Sequence, residues 1–333
     1  MISLTPEQVA ERFGRMFSRG LLTLIDEKAG VAEIIEECCA RGPVEWDLVN
    51  RLRAGGAVYT GWVDGTTLVM RARLGSFEVK FGPADFSRGG QALEAVEVKN
   101  DKVYTRWAGV AGAGVGVAAC LAQAPGVVKA VYPSKDDLVK VGGRYVNHVI
   151  LETLKYEKLI FAVDNTDVKD KGATWASTLK AASMLCEKHK GMKLLAHRIF
   201  QAYPGVPWKT TNNVAVSLSF AVPAGVEVKQ VVRDLVEILR GFCYSEEACA
   251  VAYRGIVVPR ELREFAWRVK SGMVELSEAL ELARRYGVEV MEITGRMGVI
   301  GALAALALYD AGLEYAAMKD DPALARVGRV EEG

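Results

Sequence analysis

The sequence predicts a mixed fold, in which an α+β domain is followed by α/β layers. Turn signals such as Asp64-Gly65, set between runs of alternating apolar residues, predict β-hairpins in the first 150 residues. From residue 158 onward, strand-like and helix-like segments of ordinary length alternate, which favours mixed α/β layers. The chain has 333 residues, of which 50% are hydrophobic, so it can build more than one core.

The first half predicts a small domain over residues 1–150. Thr5, Pro6 and Gln8 have the spacing of a capping box and predict a helix that begins at Pro6. The apolar segment 31–40 predicts a second helix, and the strands on either side of Asn100-Asp101 predict another hairpin. We expect a curled antiparallel sheet here, with a role that is unknown. It would supply substrate specificity or a homodimer surface.

The second half begins near residue 151 and alternates strands with helices. The predicted elements, in chain order, are strand 158–163, helix 172–189, strands 193–201 and 213–222, helices 227–240, 259–271 and 277–286, strand 288–293, helix 299–311 and strand 313–318.

Composition narrows the classes of partner. The net charge is only +1, which does not favour RNA as a partner, although local RNA contact stays open. The six cysteines form no C-x-x-C pair and only three histidines are present, which argues against a structural zinc site. No signal peptide or membrane-spanning segment is predicted, so we expect no membrane partner and a cytoplasmic protein.

Two carboxylates mark the end of the strand 158–163. Asp164 and Asp167 follow it directly, and Gly172 and Thr174 open the next helix. Carboxylates can hold a divalent cation, while the N–H groups of a helix start can hold phosphate. The pattern predicts a site for a metal ion and a nucleotide. The alternative is that both aspartates only cap the helix and close a turn.

Two further segments suit a phosphate-bearing ligand. The loop 203–213 presents Lys209, Thr210 and Asn213 on a frame of two prolines and a glycine, although most polar loops are simply solvated. Gly295 and Gly298 lie between a strand and a helix and predict close approach of a ligand. For Gly301 to Ala305, and for the glycine run 109–116, close packing is the favoured interpretation.

These three segments resemble, in the same order, motifs of the archaeal tRNA(Ile) 2-agmatinylcytidine synthetase family. Residues 164–167 with 172–174 resemble its D-D-T-D…G…T signature, residues 204–213 its P-N-x-P-x-K-T-R-G-N segment, and residues 298–305 its G-x-I-G-A-L-A-A segment. The G-A-T-W form of the first motif and the N-terminal half are more similar to methanogenesis marker protein 11, a family of methane-producing archaea.

The resemblance implies a kinase-like ATP- and Mg²⁺-binding domain over residues 151–255 and a ferredoxin-like domain over residues 256–333. It implies that Asp164 and Asp167 lie near Mg²⁺ and the ATP phosphates, with Thr174 at the site of phosphoryl transfer. Asn165, in place of the family's second acid, puts metal affinity or a base role in doubt. Thr211 and Asn212 replace an Arg-Gly pair, which puts a phosphate or RNA contact in doubt.

The leading hypothesis is an ATP- and Mg²⁺-dependent enzyme of phosphotransferase or ligase type, without the family's tRNA-binding modules. It would act on an unknown small molecule or protein in methanogen-specific metabolism or maturation. Two alternatives stay open: a nucleotide-binding assembly or maturation factor for a methanogenesis protein, and an RNA-modifying protein.

Overall fold

The computed structural model describes residues 1–82, 85, 87–210 and 212–328. Its contacts divide the chain into two compact units. The first contains Met1–Glu157 together with Pro223–Gly225, and the second contains the rest of the described chain. None of the helices in the described residues is long and apolar enough to cross a membrane.

The first unit is mainly strand. Its strands are β1 (Ile2–Leu4), β2 (Ser18–Asp26), β3 (Val31–Cys38), β4 (Val58–Asp64), β5 (Thr67–Arg73), β6 (Gly75–Ser76), β7 (Gln91–Lys99), β8 (Lys102–Val110), β9 (Val127–Tyr132) and the first part of β10 (Val146–Asp164). Its helices are α1 (Pro6–Phe13), α2 (Arg41–Ala54), α3 (Gly112–Val115), which continues as a π turn (Gly116–Cys120) and a 3₁₀ turn (Leu121–Gln123), and α4 (Asp136–Val139).

Strand β10 is shared by two ladders of the first unit. One ladder has the antiparallel order β6-β7-β8-β10-β9-β1, and the other has the order β4-β5-β3-β2-β10. Only the β2–β10 pair is parallel in the second ladder, with Thr23 opposite Lys155. The hydroxyls of Thr23 and Thr153 lie 2.6 Å apart where the ladders meet. The predicted curled, largely antiparallel sheet is thus confirmed, as is the capping box at Thr5.

The predicted helix over residues 31–40 is wrong, because this segment is strand β3. The helix was predicted from the apolar residues of the segment, yet its glutamates Glu33 and Glu36 are buried as well, at 1% and 5% exposed. Arg71 pairs with Glu33 at 3.4 Å, and Arg51 pairs with Glu36. A charge can be buried when an opposite charge neutralises it. Both glutamates can therefore lie inside the protein on strand β3.

The second unit has five strands and five α-helices among the described residues. The strands are the end of β10, β11 (Lys193–Gln201), β12 (Val214–Pro223), β13 (Cys249–Arg254) and β14 (Glu289–Glu292). The helices are α5 (Thr174–Lys188), α6 (Val228–Arg240), α7 (Arg260–Ser271), α8 (Leu276–Arg285) and α9 (Val299–Ala307), followed by 3₁₀ turns at Leu313–Tyr315 and Pro322–Arg326.

The end of β10 lies in the middle of the strand order β11-β12-β10-β13-β14. Its side chains alternate between two cores. Leu159, Phe161 and Val163 pack with α5 and α6, whereas Ile160 and Ala162 pack with α7, α8 and α9. The strand is therefore covered on both faces, as expected for a central strand in a three-layer arrangement. This burial fixes the position at which β10 ends, at Asp164.

The predicted strand 313–318 is also wrong. A 3₁₀ turn occupies Leu313–Tyr315, and the carbonyls of Tyr315 and Ala317 accept hydrogen bonds from Lys270, at 3.2 and 2.7 Å. The Lys270 side chain is nearly fully buried and donates to the carbonyl of Gln201 as well, at 2.7 Å. Carbonyls that satisfy a buried ammonium are not free for a sheet ladder, so this segment does not extend the sheet.

Asp234 joins the C-terminal end of α5 to α6, and we expect it to stabilise the fold in a pH-dependent way. Lys188 at 2.9 Å lowers the pKa of Asp234 to about 2, with Gln230 and His189 adding to the effect. The folded carboxylate therefore keeps its charge below pH 3.8, the ordinary value. Its stabilisation is present above about pH 4 and is lost as the pH falls toward 2.

We predict that Asp234→Asn lowers the free energy of unfolding by about 1 kcal/mol at pH 7, because hydrogen bonds to a charged group are worth about that much when partly solvated. Denaturant titrations at pH 7 and pH 2.5 measure the difference, which should shrink at the lower pH. A penalty that is equal at both values would show that the charge of Asp234 is not what stabilises the fold.

Candidate functional site

The site begins where β10 ends. The Oδ1 of Asp164 accepts a hydrogen bond from the backbone N–H of Asn165, at 2.8 Å. Asn165 has a left-handed φ of +61°, a conformation that Asn tolerates better than most residues and that turns the chain out of the strand. Burial raises the pKa of Asp164 to about 7, and the charge of Asp167 adds to this rise. A neighbouring cation would restore the charged form of this carboxyl.

Asp167 and Thr174, both predicted as site residues, are in direct contact. The hydroxyl of Thr174 donates to Oδ1 of Asp167 at 2.9 Å, and the hydroxyl of Thr166 donates to that of Thr174 at 3.0 Å. Thr166 and Thr174 are 1% and 3% exposed. Because Thr174 is the first residue of α5, this chain holds a carboxylate beside the positive end of a helix dipole.

Gly172 closes the turn between the two elements. Its φ is +89°, and a Cβ there would lie 2.8 Å from the ring of Tyr244 and 3.2 Å from Cβ of Asp167. The backbone N–H of Tyr244 donates to the carbonyl of Thr166 at 2.8 Å, and the ammonium of Lys171 lies 4.3 Å from the centre of the Tyr244 ring. In this structure Gly172 is needed for the tight turn. Its role as a nucleotide contact stays a prediction.

The start of α9 lies against Asp164. A Cβ on Gly298 would lie 2.7 Å from the carbonyl oxygen of Asp164 and 2.9 Å from the backbone nitrogen of Cys249. A Cβ on Gly301 would overlap the carboxylate of Asp164. The two glycines therefore leave the space that lets the helix and the carboxylate come together. Packing was predicted for Gly301, but its nearest neighbour is a site residue.

Glu247 accepts hydrogen bonds from the backbone N–H groups that precede α9. Its Oε2 accepts hydrogen bonds from the N–H groups of Arg296 and Met297, both at 3.2 Å, and its carbonyl accepts from Gly298 at 3.1 Å. The same Oε2 would lie 2.6 Å from a Cβ on Gly295. The space that the sequence predicted for an approaching ligand thus holds a carboxylate of the protein itself.

The loop that precedes β12 is closed on itself. Lys209 donates to the carbonyl of Pro204, and Asn213, with a φ of +55°, donates to the carbonyl of Tyr203 at 2.7 Å. Thr210 is exposed, and Thr211 lies outside the described residues. No hydrogen bond or ion pair in the described chain joins Lys209, Thr210 or Asn213 to either aspartate.

The end of this loop still lies near the aspartates. Ala215, the second residue of β12, would be 3.4 Å from a Cβ on Gly301, the residue that borders the Asp164 carboxylate. The loop therefore joins β12 at the same end of the sheet as Asp164. A movement of the Lys209 side chain alone would release its ammonium from its own loop.

The donor set for a metal ion is small. Among the described residues, no group of three or more His, Cys, Asp or Glu side chains is arranged to hold a metal. Asp164 and Asp167 supply hard oxygen donors in close sequence. Mg²⁺ commonly takes one or two carboxylates and completes its shell with phosphate oxygens and water. The two aspartates fit that mode of binding and do not fit a closed protein cage.

Sequence reasoning assigned no role to three residues that shape the site, namely Thr166, Tyr244 and Glu247. Thr166 lies between the two acids, and a buried hydroxyl could have been inferred from that position. Tyr244 and Glu247 reach the site through tertiary contacts and give no local signal in the sequence. For Gly301 the sequence predicted close packing, but it did not indicate that the neighbour would be Asp164.

We predict that Gly301→Ala destabilises the protein by about 1–3 kcal/mol, because the added methyl group displaces a buried carboxylate. In an Asp164→Ala background the same substitution should be neutral or stabilising by up to about 1 kcal/mol, since Ala favours helix over Gly. Gly116, where a Cβ would meet nothing within 4 Å, provides the control Gly116→Ala. Denaturant unfolding of the four proteins in this cycle gives the coupling, and a coupling near zero would contradict the assigned contact.

Comparison with known proteins places these residues within a family match. The model of the TiaS TCKD domain matches residues 160–295, which include Asp164, Asp167, Thr174, Lys209 and Gly295. The tRNA(Ile2) 2-agmatinylcytidine synthetase TiaS of Pyrococcus horikoshii is 31% identical over 111 residues, which are 33% of this chain and 26% of the synthetase. The match thus spans about a quarter of that enzyme.

A solved structure of TiaS and a second relative are also similar to this chain. The crystal structure of the TiaS-tRNA(Ile2)-ATP complex covers 45% of this chain and 36% of its own, with 24% identity and a TM-score of 0.39, too low to support an argument. The uncharacterized protein MJ0921 of Methanocaldococcus jannaschii is 30% identical over 290 residues, 87% of this chain and 93% of that protein. Residues 160–295 are thus similar to the TiaS TCKD domain, and the chain as a whole belongs to the family of MJ0921.

Proposed function

We propose that this protein is an ATP-dependent enzyme of phosphotransferase or ligase type, with its nucleotide site in the second unit. The observation that carries the proposal is the contact between Asp167 and Thr174 at the start of α5, with Asp164 beside it. These residues lie within the segment that matches the TiaS TCKD domain. Solved structures of TiaS are complexes with tRNA(Ile2) and ATP and with tRNA(Ile2), AMPCPP and agmatine, and for this chain each of these ligands is a proposal.

In this proposal Asp164 and Asp167 would hold Mg²⁺, which would supply positive charge to offset the negative charge of the phosphates. Asp167 orients the hydroxyl of Thr174 through the hydrogen bond at 2.9 Å. Lys209 exchanges the carbonyl of Pro204 for a phosphate oxygen and acts as a point charge. Thr210, Asn213 and the backbone at Gly172 contribute further nucleotide contacts. The loop from Gly295 to Gly298 would do so once Glu247 has been displaced.

A second function is favoured by the small donor set. With Asn165 in place of the family's second acid, the protein would bind nucleotide and turn it over slowly, as a maturation factor for another protein does. A role in methanogenesis, and RNA as a substrate, belong to the same set of open proposals.

The finer domain assignments stay predictions. These are the bounds 1–150, 151–255 and 256–333, a kinase-like domain in the second range and a ferredoxin-like domain in the third. Within the described residues 256–328, the one strand is β14, and it pairs with β13 of the preceding segment.

We predict that the wild-type protein binds a non-hydrolysable ATP analogue in the presence of Mg²⁺, and that Asp167→Ala loses at least about tenfold in affinity, since tenfold corresponds to about 1.4 kcal/mol and a charged contact supplies that much. Isothermal titration calorimetry measures both. Asp170→Ala is the matched control, because Asp170 is exposed in the same turn. An absence of binding heat for the wild type would remove the support for a nucleotide site.

We also predict that Asp164→Ala lowers ATP turnover by several orders of magnitude while the protein stays folded. Phosphate release measured beside a thermal melt separates the two effects. Turnover that persists in the folded variant would exclude Asp164 from the mechanism. Tight binding with almost no turnover in the wild type would favour the maturation factor over the enzyme.

A further inference from the structure

The first unit contains a cleft that the proposed function does not use. Its volume is about 960 Å³, and its walls are α2 on one side and residues 110–113 on the other, with Gly82, Arg88 and Gly90 at the edge. Pockets that bind small molecules commonly measure about 300–1,000 Å³. The cleft is therefore large enough for a molecule of nucleotide size.

Helix α2 turns two apolar side chains toward this cleft. Trp46 and Val49 both line it and are each 51% exposed, whereas Arg51 on the opposite side of the helix is 1% exposed. A helix on a protein surface normally buries its apolar face and exposes its polar one. The exposure of Trp46 and the burial of Arg51 both depart from this pattern, and they leave an indole ring in an open cleft, where it is available to stack on a ligand.

The uncompensated charge in the cleft is positive. Asp47 is tied to Arg51 and Gln91, and Glu45 is tied to Arg41 on the same helix. Within the described residues, the side chain of Arg53 has neither an ion pair nor a hydrogen bond, and it is exposed at the cleft wall. Its guanidinium is therefore available for a carboxylate or a phosphate.

Arg88 contributes less to the uncompensated positive charge of the cleft. It donates to the carbonyl of Phe81 at 3.0 Å and pairs with Asp85 at 3.3 Å. Its charge is thus already neutralised.

The wall opposite Trp46 has little side-chain bulk. A Cβ on Gly112 would meet nothing within 4 Å, so a ligand can approach the backbone there. Ala111 has a φ of +57° and a ψ of −133°, a conformation that only glycine adopts without strain. Strained residues persist where the surrounding structure enforces them, and they concentrate at ligand sites.

We propose that this cleft binds a small planar aromatic molecule that carries an anionic group. The ring stacks on Trp46 and the anion pairs with Arg53. These residues are two turns apart on α2, roughly 10 Å along the axis at 1.5 Å per residue, a distance that an arginine side chain shortens by folding back. Nucleoside monophosphates and aromatic carboxylic acids share this chemistry.

Calorimetric titration of the full chain with adenosine monophosphate, adenosine and 4-hydroxybenzoate tests the proposal. At least one of the two anions should bind, and adenosine should bind at least tenfold more weakly than adenosine monophosphate if the nucleotide is the ligand. Trp46→Ala and Arg53→Gln should each weaken binding at least tenfold. Arg19→Gln, which changes an exposed arginine outside the cleft, should leave it unchanged.

Two outcomes would overturn the inference. One is the absence of heat from both anions at millimolar concentration, and another is binding that neither cleft variant weakens. The second outcome would place the ligand elsewhere, for example at the aspartates of the second unit. Both side chains are exposed, so the variants should keep the wild-type melting temperature. If Trp46→Ala does not fold, Trp46→Leu and Arg53→Gln carry the test, since leucine also removes the ring.

The inference does not depend on the proposed function. Binding of the ATP analogue that requires Asp167 and is unchanged in Trp46→Ala would support the nucleotide site alone. Binding of the anions that requires Trp46 and is unchanged in Asp167→Ala would support the cleft alone.

Discussion

The candidate site depends on one close approach, that of the first turn of α9 to the carboxylate of Asp164. Gly298 and Gly301 permit it, because a methyl group at either position would meet the backbone or the side chain of Asp164. The approach in turn requires that β10 end at a fixed place. Burial of its last residues between two helix layers meets that requirement. The candidate site therefore depends on where Asp164 is held, against the first turn of α9, and not on how many acids are present.

Both units place charged groups inside the protein and satisfy them locally. In the first unit, the guanidinium of Arg51 lies 4.5 Å from the centre of the Trp107 ring and pairs with Glu36. In the second, the ammonium of Lys270 is held by three carbonyls. Removal of one partner from such an arrangement leaves a buried group unpaired, which costs more than the contact itself contributes. These residues are constraints on the fold and supply no chemistry of their own.

The sequence predicted most of the second unit because its elements follow local rules. Strand β11 has the predicted bounds 193–201, and helix α6 begins within one residue of its prediction. The errors fall where tertiary pairing overrides a local pattern. The segment of Glu33 and Glu36 was predicted as a helix, but the arginines that pair with these glutamates in the folded protein lie 38 and 15 residues away in sequence. The segment around Tyr315 was predicted as a strand, but Lys270, which binds its carbonyls, lies 45 residues away.

The same distinction holds for the candidate site. The sequence indicated Asp167 and Thr174, which the structure brings into contact, because the two follow each other around a single turn. It did not indicate Glu247, whose carboxylate reaches the loop before α9 from about fifty residues away. It also did not indicate that Lys209 would donate to its own loop, since an exposed side chain has several partners of similar energy.

The alternation of side chains along the end of β10 limits how this family can change. Deletion or insertion of a single residue between 159 and 163 would exchange the two sets of core residues and turn the carboxylate at 164 to the opposite face. Length variation among homologues should therefore spare this strand. Insertions and deletions should occur instead in connections such as residues 202–213. The length of a connection can change without altering which side chains of a buried strand face each core.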